Sequence, residues 1–348
     1  MRALSTRAHI TPTSFVNTYE WGDFRGNPRT LMKRYYDAFL YLANWGTRRL
    51  MFRVPARLLD LPTAARYCAG ESASAWASGE DVVIELVSDD EEGGDDLDWG
   101  GEGWLSLIVP VRAEVLAGDR QLLYLAWLLC VQNGEVLDEE VEPPVPSGLG
   151  RPSASLSSVV EFLRIDPDLL AVAADSPGAP EPSEADMASW IANLPVAEKD
   201  AVLLALLRGT DPNLRAELLH RFRGAVPPRE GHRTARELLA AADARWTERA
   251  RVVDERRREA AAEQERLRVA ARERRLAGLA ADVDRAWTRV AALIATRKPA
   301  EYDQAVDLLS DLRDVTDPEE FGRRIRELRA EHGRKPSLME RFDFADLP

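Results

Sequence analysis

The spacing of hydrophobic positions changes along the first 140 residues, which predicts a mixture of helices and strands. Asn27 followed by Pro28 combines a helix cap with a first-turn proline. Apolar residues then recur at helical spacing until Gly46, so we expect one helix over this stretch. Residues 120–132 carry a second helical pattern that is almost wholly apolar.

Three further segments of this region have the pattern of strands. Leu50 to Val54 places apolar residues at every second position. Asp81 to Val87 and Trp104 to Val109 are short apolar runs separated by an acidic, glycine-rich loop. Because crossover helices do not separate these strands regularly, we expect residues 1–140 to form an α+β domain with a small, largely antiparallel sheet.

Nothing beyond this region has the pattern of a strand. Residues 141–153 combine proline, glycine and acidic residues without periodicity, which is typical of a linker. Residues 154–228 contain short amphipathic segments and predict a bundle of short helices. The predicted helices are Ser155 to Ile165, Ser183 to Asn193, Ala197 to Arg208 and Asn213 to Phe222.

A long helix is predicted over residues 233–298, because Thr234 to Arg297 contains no proline and a single glycine. Apolar residues recur there every seven positions, but the complementary heptad positions are mostly charged, so only half of a coiled-coil seam is present. We expect a helix of another protein to complete this seam. The predicted partner-binding residues are Leu239, Trp246, Val253 and Leu267.

Residues 299–348 predict a C-terminal helical hairpin and tail. Pro299 interrupts the long helix, and three shorter helical patterns follow it. Across the turn at Thr316 to Pro318, one apolar face is expected to pack against another. These faces are formed by Tyr302, Val306 and Leu309 on one helix and by Phe321, Ile325 and Leu328 on the next. The fold class predicted overall is an α+β N-terminal domain followed by an all-α region with a long helix and a C-terminal helical hairpin.

The last sixty or so residues also carry a distinctive series of helix-packing and basic positions. They are Trp287, Lys298, Pro299, Tyr302, Asp303, Ala305, Val306, Leu308, Leu309, Asp311, Leu312, Arg313, Phe321, Leu328, His332, Arg334, Lys335, Pro336 and Leu338. The series resembles the C-terminal helical tail of some bacterial SWIM zinc-finger proteins. The CxC and CxH pairs of the SWIM finger are absent, so zinc and nucleic-acid binding do not transfer. The resemblance implies a shared helical module that helps to place proteins in a common assembly.

The charge and the cysteine content limit which partners and which cellular compartment we expect for the protein. The formal net charge is −13, which argues against a protein that coats nucleic acid, although residues 233–298 hold 17 basic and 11 acidic residues. Cys68 and Cys130 stand alone, without the spacing of a zinc site, and favour a reduced cytoplasmic setting. The sequence shows no pattern of a signal peptide or a transmembrane helix, so we expect no membrane association.

The aromatic N-terminal region supplies a candidate ligand site. The segment Tyr19 to Pro28 is punctuated by glycine and rich in aromatic and charged residues. The candidate ligand-binding residues are Trp21, Asp23, Phe24, Arg25 and Asp37. The alternative is structural: the loop packs onto the following helix, and its charged residues form caps or ion pairs.

The short motifs that mark hydrolases, zinc proteases, phosphate-binding loops and dinucleotide-binding folds are all missing from the sequence. We therefore predict no catalytic residues, no metal and no cofactor. The favoured function is a non-enzymatic cytoplasmic interaction or scaffold protein that binds a partner protein through its helical C-terminal half, with homo-oligomerisation left open. One alternative is a small-ligand-binding protein or unfamiliar enzyme that uses the Tyr19 to Pro28 loop. Another is association with nucleic acid through the arginine-rich helix.

Overall fold

The computed structural model describes residues 9–11, 14–17, 24–43, 45–89, 101–176, 183–209, 213–224 and 229–347. The strands are β1 (His9–Ile10), β2 (Phe15–Val16), β3 (Ala38–Leu42), β4 (Arg48–Pro55), β5 (Ala73–Ser78) and β6 (Asp81–Ser88). The helices are α1 (Pro28–Arg34), α2 (Leu61–Ala65), α3 (Gly101–Ile108), α4 (Pro110–Leu116), α5 (Gln121–Gln132), α6 (Ala154–Leu163), α7 (Pro167–Ala174), α8 (Glu184–Asn193), α9 (Val196–Arg208), α10 (Leu214–Gly224), α11 (Ala235–Ala281), α12 (Val283–Ala295), α13 (Pro299–Val315), α14 (Pro318–His332) and α15 (Pro336–Phe344).

The predicted fold class is confirmed: an α+β N-terminal region is followed by a helical region with a long helix and further C-terminal helices. Contacts between residues divide the chain into two compact units, Met1–Glu248 and Arg249–Pro348. The first unit contains the sheet and the larger hydrophobic core. The second unit contains a smaller core formed by helices α12 to α15.

The main sheet of the first unit is antiparallel, with the strand order β3, β4, β6, β5. Alternation along β4 sends Leu50 and Phe52 into the main core, whereas Met51 faces the other side of the sheet. Helix α1 covers that second side with Met32. The strands predicted at residues 50–54 and 81–87 are therefore confirmed as β4 and β6.

The single helix predicted from Pro28 to Gly46 is wrong in its second half. Helix α1 ends at Arg34, and residues 38–42 form strand β3, which pairs with β4. The run Ala38 to Leu42 is apolar at every position, so it satisfies a helical pattern as readily as a strand that is buried on both sides. Pairing with β4 decides the outcome, because it places Phe39 on one side of the sheet and Leu40 on the other.

The strand predicted from Trp104 to Val109 is also wrong, since this segment lies in helix α3 and at its end. Ile108 is fully buried, and the Trp104 ring packs against Phe162 of α6 at 5.6 Å between centroids. Packing against α6 thus buries one side of α3, as in other amphipathic helices.

The predicted linker at residues 141–153 contributes to the main core instead. Val145 and Leu149 are buried there, and the backbone of Val145 pairs with that of Arg229. Helices α6 and α7 join the same core through residues such as Phe162 and Leu169. Residues 154–174 therefore do not form a bundle separate from the sheet.

The long helix extends from Ala235 to Ala281 and ends before the predicted limit of residue 298. Asp282 leaves the helical conformation and caps α12, where its side chain accepts a hydrogen bond from the backbone N–H of Arg285 at 3.1 Å. The apolar side of α12 then packs into the C-terminal core with α13. In the predicted hairpin, Tyr302, Leu309, Phe321 and Ile325 are all buried in this core, as expected.

Candidate functional site

Helix α11 carries the predicted partner-binding residues, and a buried ion pair precedes its first turn. Arg233 donates two hydrogen bonds to the Glu142 carboxylate, from Nε at 2.9 Å and from Nη2 at 2.8 Å. The Tyr124 hydroxyl donates a third at 2.5 Å. The remaining guanidinium donor, Nη1, reaches the backbone carbonyl of Val172 in α7 at 2.7 Å. The start of the helix is thereby joined to three other parts of the first unit.

The first turns of α11 are capped and buried. Thr234 and Glu237 form reciprocal hydrogen bonds between side chain and backbone, which is the capping-box arrangement. Leu238 and Ala242 are buried in the main core, and Leu239 is partly buried against it. Leu239 therefore contributes to the packing of the first unit and is not on the exposed stripe, in contrast to the prediction.

The three other predicted partner-binding residues are exposed. Trp246 and Leu267 each keep 59% of their accessible surface, and Val253 keeps 42%. Ala260 completes the seven-residue spacing and is also exposed. We call Trp246, Val253, Ala260 and Leu267 the α11 stripe. No residue of α11 from Asp243 to Arg275 is buried, so the described residues leave this apolar stripe uncovered.

Charged residues beside the α11 stripe form ion pairs along the helix itself. Arg251 pairs with Glu255 at 2.6 Å, and Arg266 approaches Glu263 at 3.4 Å. Such exposed pairs one turn apart stabilise a helix slightly and remain solvated. They also lower the positive potential that the arginine content of this segment suggests.

Two of the arginines available for phosphate contacts are held by helix α13. Arg272 pairs with Asp314 at 2.7 Å, and Arg275 pairs with Asp311 at 2.8 Å. Binding to a nucleic acid would have to compete with these carboxylates. Both arginines therefore already have a carboxylate partner within the second unit.

The candidate ligand site is only partly described. Trp21 and Asp23 lie outside the described residues. The Phe24 ring packs against Phe39 at 6.2 Å between centroids, and Arg25 is exposed. Asp37 accepts two hydrogen bonds from Arg53, at 2.8 and 3.1 Å. The described part of this region thus shows Asp37 in an ion pair that ties the end of α1 to strand β4.

The two cysteines are not activated as nucleophiles. Burial raises the pKa of the Cys68 thiol to about 12, and the proximity of Cys130 adds to this increase. Burial likewise raises the pKa of the Cys130 thiol to about 12. Both side chains therefore stay protonated at neutral pH, whereas a catalytic cysteine is held as a thiolate.

His220 has the electrostatic environment of a neutral, packed histidine. Burial lowers its pKa, and the nearby Arg120 guanidinium lowers it further, while Asp60 acts in the opposite direction. The backbone of Gly118, which adopts a positive φ of 84°, lies directly against this residue. The histidine therefore packs helix α10 against the α4–α5 turn.

A second exposed apolar surface lies on helix α9, where sequence reasoning expects a buried face. Neither α8 nor α9 contains a buried residue. The sequence contains a sign of this exposure. The leucine-rich stretch of α9 covers too wide an arc of the helix for one packed face, with leucines at positions 203, 204, 206 and 207. The sequence alone did not reveal which side of the helix faces solvent.

No protein-family model, curated protein or solved structure matches the chain. Within the described residues, no group of three or more histidine, cysteine or acidic side chains is arranged to hold a metal ion. In the same part of the chain, no helix combines the length and the apolar character needed to cross a membrane.

Proposed function

We propose that the protein is a non-enzymatic interaction or scaffold protein that binds a partner protein along the α11 stripe. The single observation that carries this proposal is the exposure of Trp246, Val253 and Leu267, which are seven and fourteen residues apart on one helix. Apolar surfaces of this kind are costly in water and mark sites of association. Tryptophan is also among the residues that contribute most to binding energy.

The chemistry of the stripe specifies the kind of partner. The positions that would complete the coiled-coil seam are occupied by Arg249, Arg256 and Glu263, so the seam contains an apolar half and a charged half. A helix with a continuous apolar stripe and acidic residues opposite the two arginines is complementary to it. The partner is therefore a helical protein with an acidic edge beside its apolar face. The isolated cysteines favour a reduced cytoplasmic compartment for both proteins.

The C-terminal helices support the same proposal. Their resemblance to the helical tail of some SWIM zinc-finger proteins implies a module that helps to assemble proteins. Helices α12 to α15 have their own core, which includes Trp287, Leu309, Phe321 and Phe342. Such a core provides a rigid base for the end of α11 that lies in the second unit.

The proposal is tested by comparing two sets of substitutions on α11. W246E/V253E/L267E introduces three negative charges into the stripe, and V269E introduces one negative charge about 160° from Val253 and Leu267 around the helix. Tagged wild-type and variant chains are purified from the native cell, and each co-purifying protein is then produced and mixed with the purified chain. The expected partner binds wild type and V269E, and its affinity for the triple variant falls about a hundredfold or more.

Hydrogen exchange locates the contact on the chain. The purified partner is expected to slow the exchange of backbone amides from Trp246 to Leu267 and to leave strand β4 unchanged. The proposal is wrong if every binding protein associates equally well with wild type and the triple variant, or if the protected amides lie outside α11.

A further inference from the structure

Helix α9 carries an apolar stripe on its outer side. At 100° per residue, Val196, Leu203 and Leu207 fall within about 40° of one another around the helix. Leu204 flanks them on one side and Leu206 on the other, and all five side chains are exposed, to 85% at Leu207. Together with the exposed Ile191 of α8 they present roughly 600 Å² of apolar surface, at the upper end of what a monomer leaves exposed.

Polar and aromatic contacts hold α8 and α9 together and hold the hairpin that they form against α10. Glu198 pairs with Arg221 of α10 at 2.5 Å. The Lys199 ammonium donates a hydrogen bond to the carbonyl oxygen of Ala192 at 2.8 Å. The Trp190 ring of α8 packs against Phe222 of α10, with 5.6 Å between centroids. These contacts determine which side of the hairpin faces the rest of the first unit, and they leave the leucines on the outside.

Two charged residues lie along one edge of the α9 stripe. Asp200, Leu204 and Arg208 follow one another at intervals of four residues, so they share a side of the helix. Within the described part of the chain, Asp200 and Arg208 form no ion pair with each other or with another residue. Both are exposed.

This arrangement of charges is complementary to itself. In an antiparallel pair of α9 helices, a two-fold axis near Leu204 places Asp200 of each copy beside Arg208 of the other. Two ion pairs then flank the leucines. A parallel pair would place like charges together, which disfavours it.

We propose that the α9 stripe binds a second copy of this chain through antiparallel pairing of the two α9 helices. The five α9 side chains and Ile191 supply at most roughly 600 Å² per copy, somewhat less than the 800 Å² or so that each partner contributes to a typical stable interface. The dimer therefore dissociates on dilution. Because α9 and the α11 stripe share no residues, this interface is independent of the proposed partner site.

Sedimentation velocity of the full chain, from about 1 to 200 µM, tests the dimer directly. Wild type is expected to shift from monomer to dimer over this range. L203E/L207E places charges in the apolar contact and is expected to raise the dissociation constant about tenfold or more. V269E adds a charge at the exposed Val269 of α11, which has no part in the proposed α9 contact, so it serves as the control and retains the dimer.

A charge exchange tests the antiparallel register. D200R and R208D each place like charges together and are expected to weaken the dimer about tenfold. D200R/R208D restores opposite charges and is expected to recover the wild-type dissociation constant. W246E/V253E/L267E is expected to dimerise like wild type, so a failure of the partner proposal does not affect this result.

A cross-link gives a second, independent measurement. Leu204→Cys lies nearest the two-fold axis and is expected to form a covalent dimer on mild oxidation, whereas Val269→Cys on the exposed part of α11 is not. The proposal is overturned if the chain remains monomeric throughout, since another molecule would then be the occupant of the stripe. It is equally overturned if L203E/L207E leaves a dimer unchanged, if the double exchange fails to restore it, or if both cysteines cross-link alike.

Discussion

Arg233 and Glu142 form a buried ion pair that joins the start of helix α11 to the first unit. The Glu142 side chain is fully buried, and the Arg233 side chain is 18% exposed. The carboxylate also accepts hydrogen bonds from the Tyr124 hydroxyl and from the backbone N–H of Arg233. This arrangement satisfies the charge of Glu142 and determines where the long helix begins.

Removing the cation is expected to destabilise the first unit strongly. Arg233→Met keeps an apolar stem but leaves Glu142 buried without its partner, so the free energy of unfolding should fall by about 3 kcal/mol. Arg236 forms exposed ion pairs with Asp138 and Glu139, and Arg236→Met should cost less than about 1 kcal/mol. Denaturant unfolding followed by circular dichroism measures both. Equal losses for the two variants would show that the buried pair has no special role.

The same pair makes stability depend on pH in the acid range. Burial by itself would raise the pKa of Glu142, but hydrogen bonds from Arg233 and Tyr124 outweigh this effect, and the net shift lowers the pKa below its usual value of 4.5. A lowered pKa in the folded state gives a stabilisation that is complete above pH 4.5 and is lost as the pH falls through the folded value.

The predicted consequence is a steep decrease in unfolding free energy below pH 4.5. Glu142→Gln removes the titrating group, so its stability should be lower at neutral pH and should fall less steeply between pH 4.5 and the folded pKa of Glu142. Denaturant unfolding over a series of pH values measures both curves. Parallel curves for the two proteins would contradict the assigned shift.

The native thiols are expected to resist alkylation. Burial raises the pKa of both Cys68 and Cys130 to about 12, so the thiolate fraction at neutral pH is far smaller than for a free cysteine, whose pKa is about 8.5. Iodoacetamide should therefore modify both residues only after unfolding, as measured by intact mass. Rapid modification of either thiol in the native protein would disprove this. The same inertness keeps the native cysteines from interfering with cross-linking at Leu204→Cys.

Local sequence patterns predict strands β4 and β6 correctly and fail at two other apolar segments. Leu50 to Val54 alternates, and its strand is confirmed. The run from Ala38 to Leu42 and the segment from Trp104 to Val109 lack a decisive period, and their conformations depend on pairing with β4 and on packing against α6. Such long-range contacts cannot be read from a short window of sequence.

Helix α7 begins with a sequence signal that permits a better prediction. Asp166 followed by Pro167 begins helix α7, with the Asp166 side chain accepting a hydrogen bond from the backbone of Asp168 at 2.7 Å. The helices predicted from the sequence do not include this segment. Its combination of N-cap and first-turn proline is the same signal that correctly predicts the start of α1 at Pro28.

The sequence predicts the seven-residue spacing of apolar residues on α11, but it does not predict which of them are exposed. Heptad positions identify Trp246, Val253 and Leu267, which are exposed, and also Leu239, which packs against the main core. The difference arises because residues 141–149 and α7 fold close to the start of α11, as the Glu142 and Val172 contacts with Arg233 show. The exposure of the α9 leucines was not predicted for the same reason, because the orientation of α9 depends on contacts with α10.

Site-specific photo-crosslinking in the native cell tests the partner proposal most directly. A photoreactive phenylalanine analogue replaces Val253 in one experiment and Val269, on the other side of α11, in a second. Both positions are exposed, so neither replacement disturbs a core. The account predicts a covalent adduct with one helical protein from position 253 and none from position 269. No adduct from position 253, or the same adduct from both positions, would contradict it.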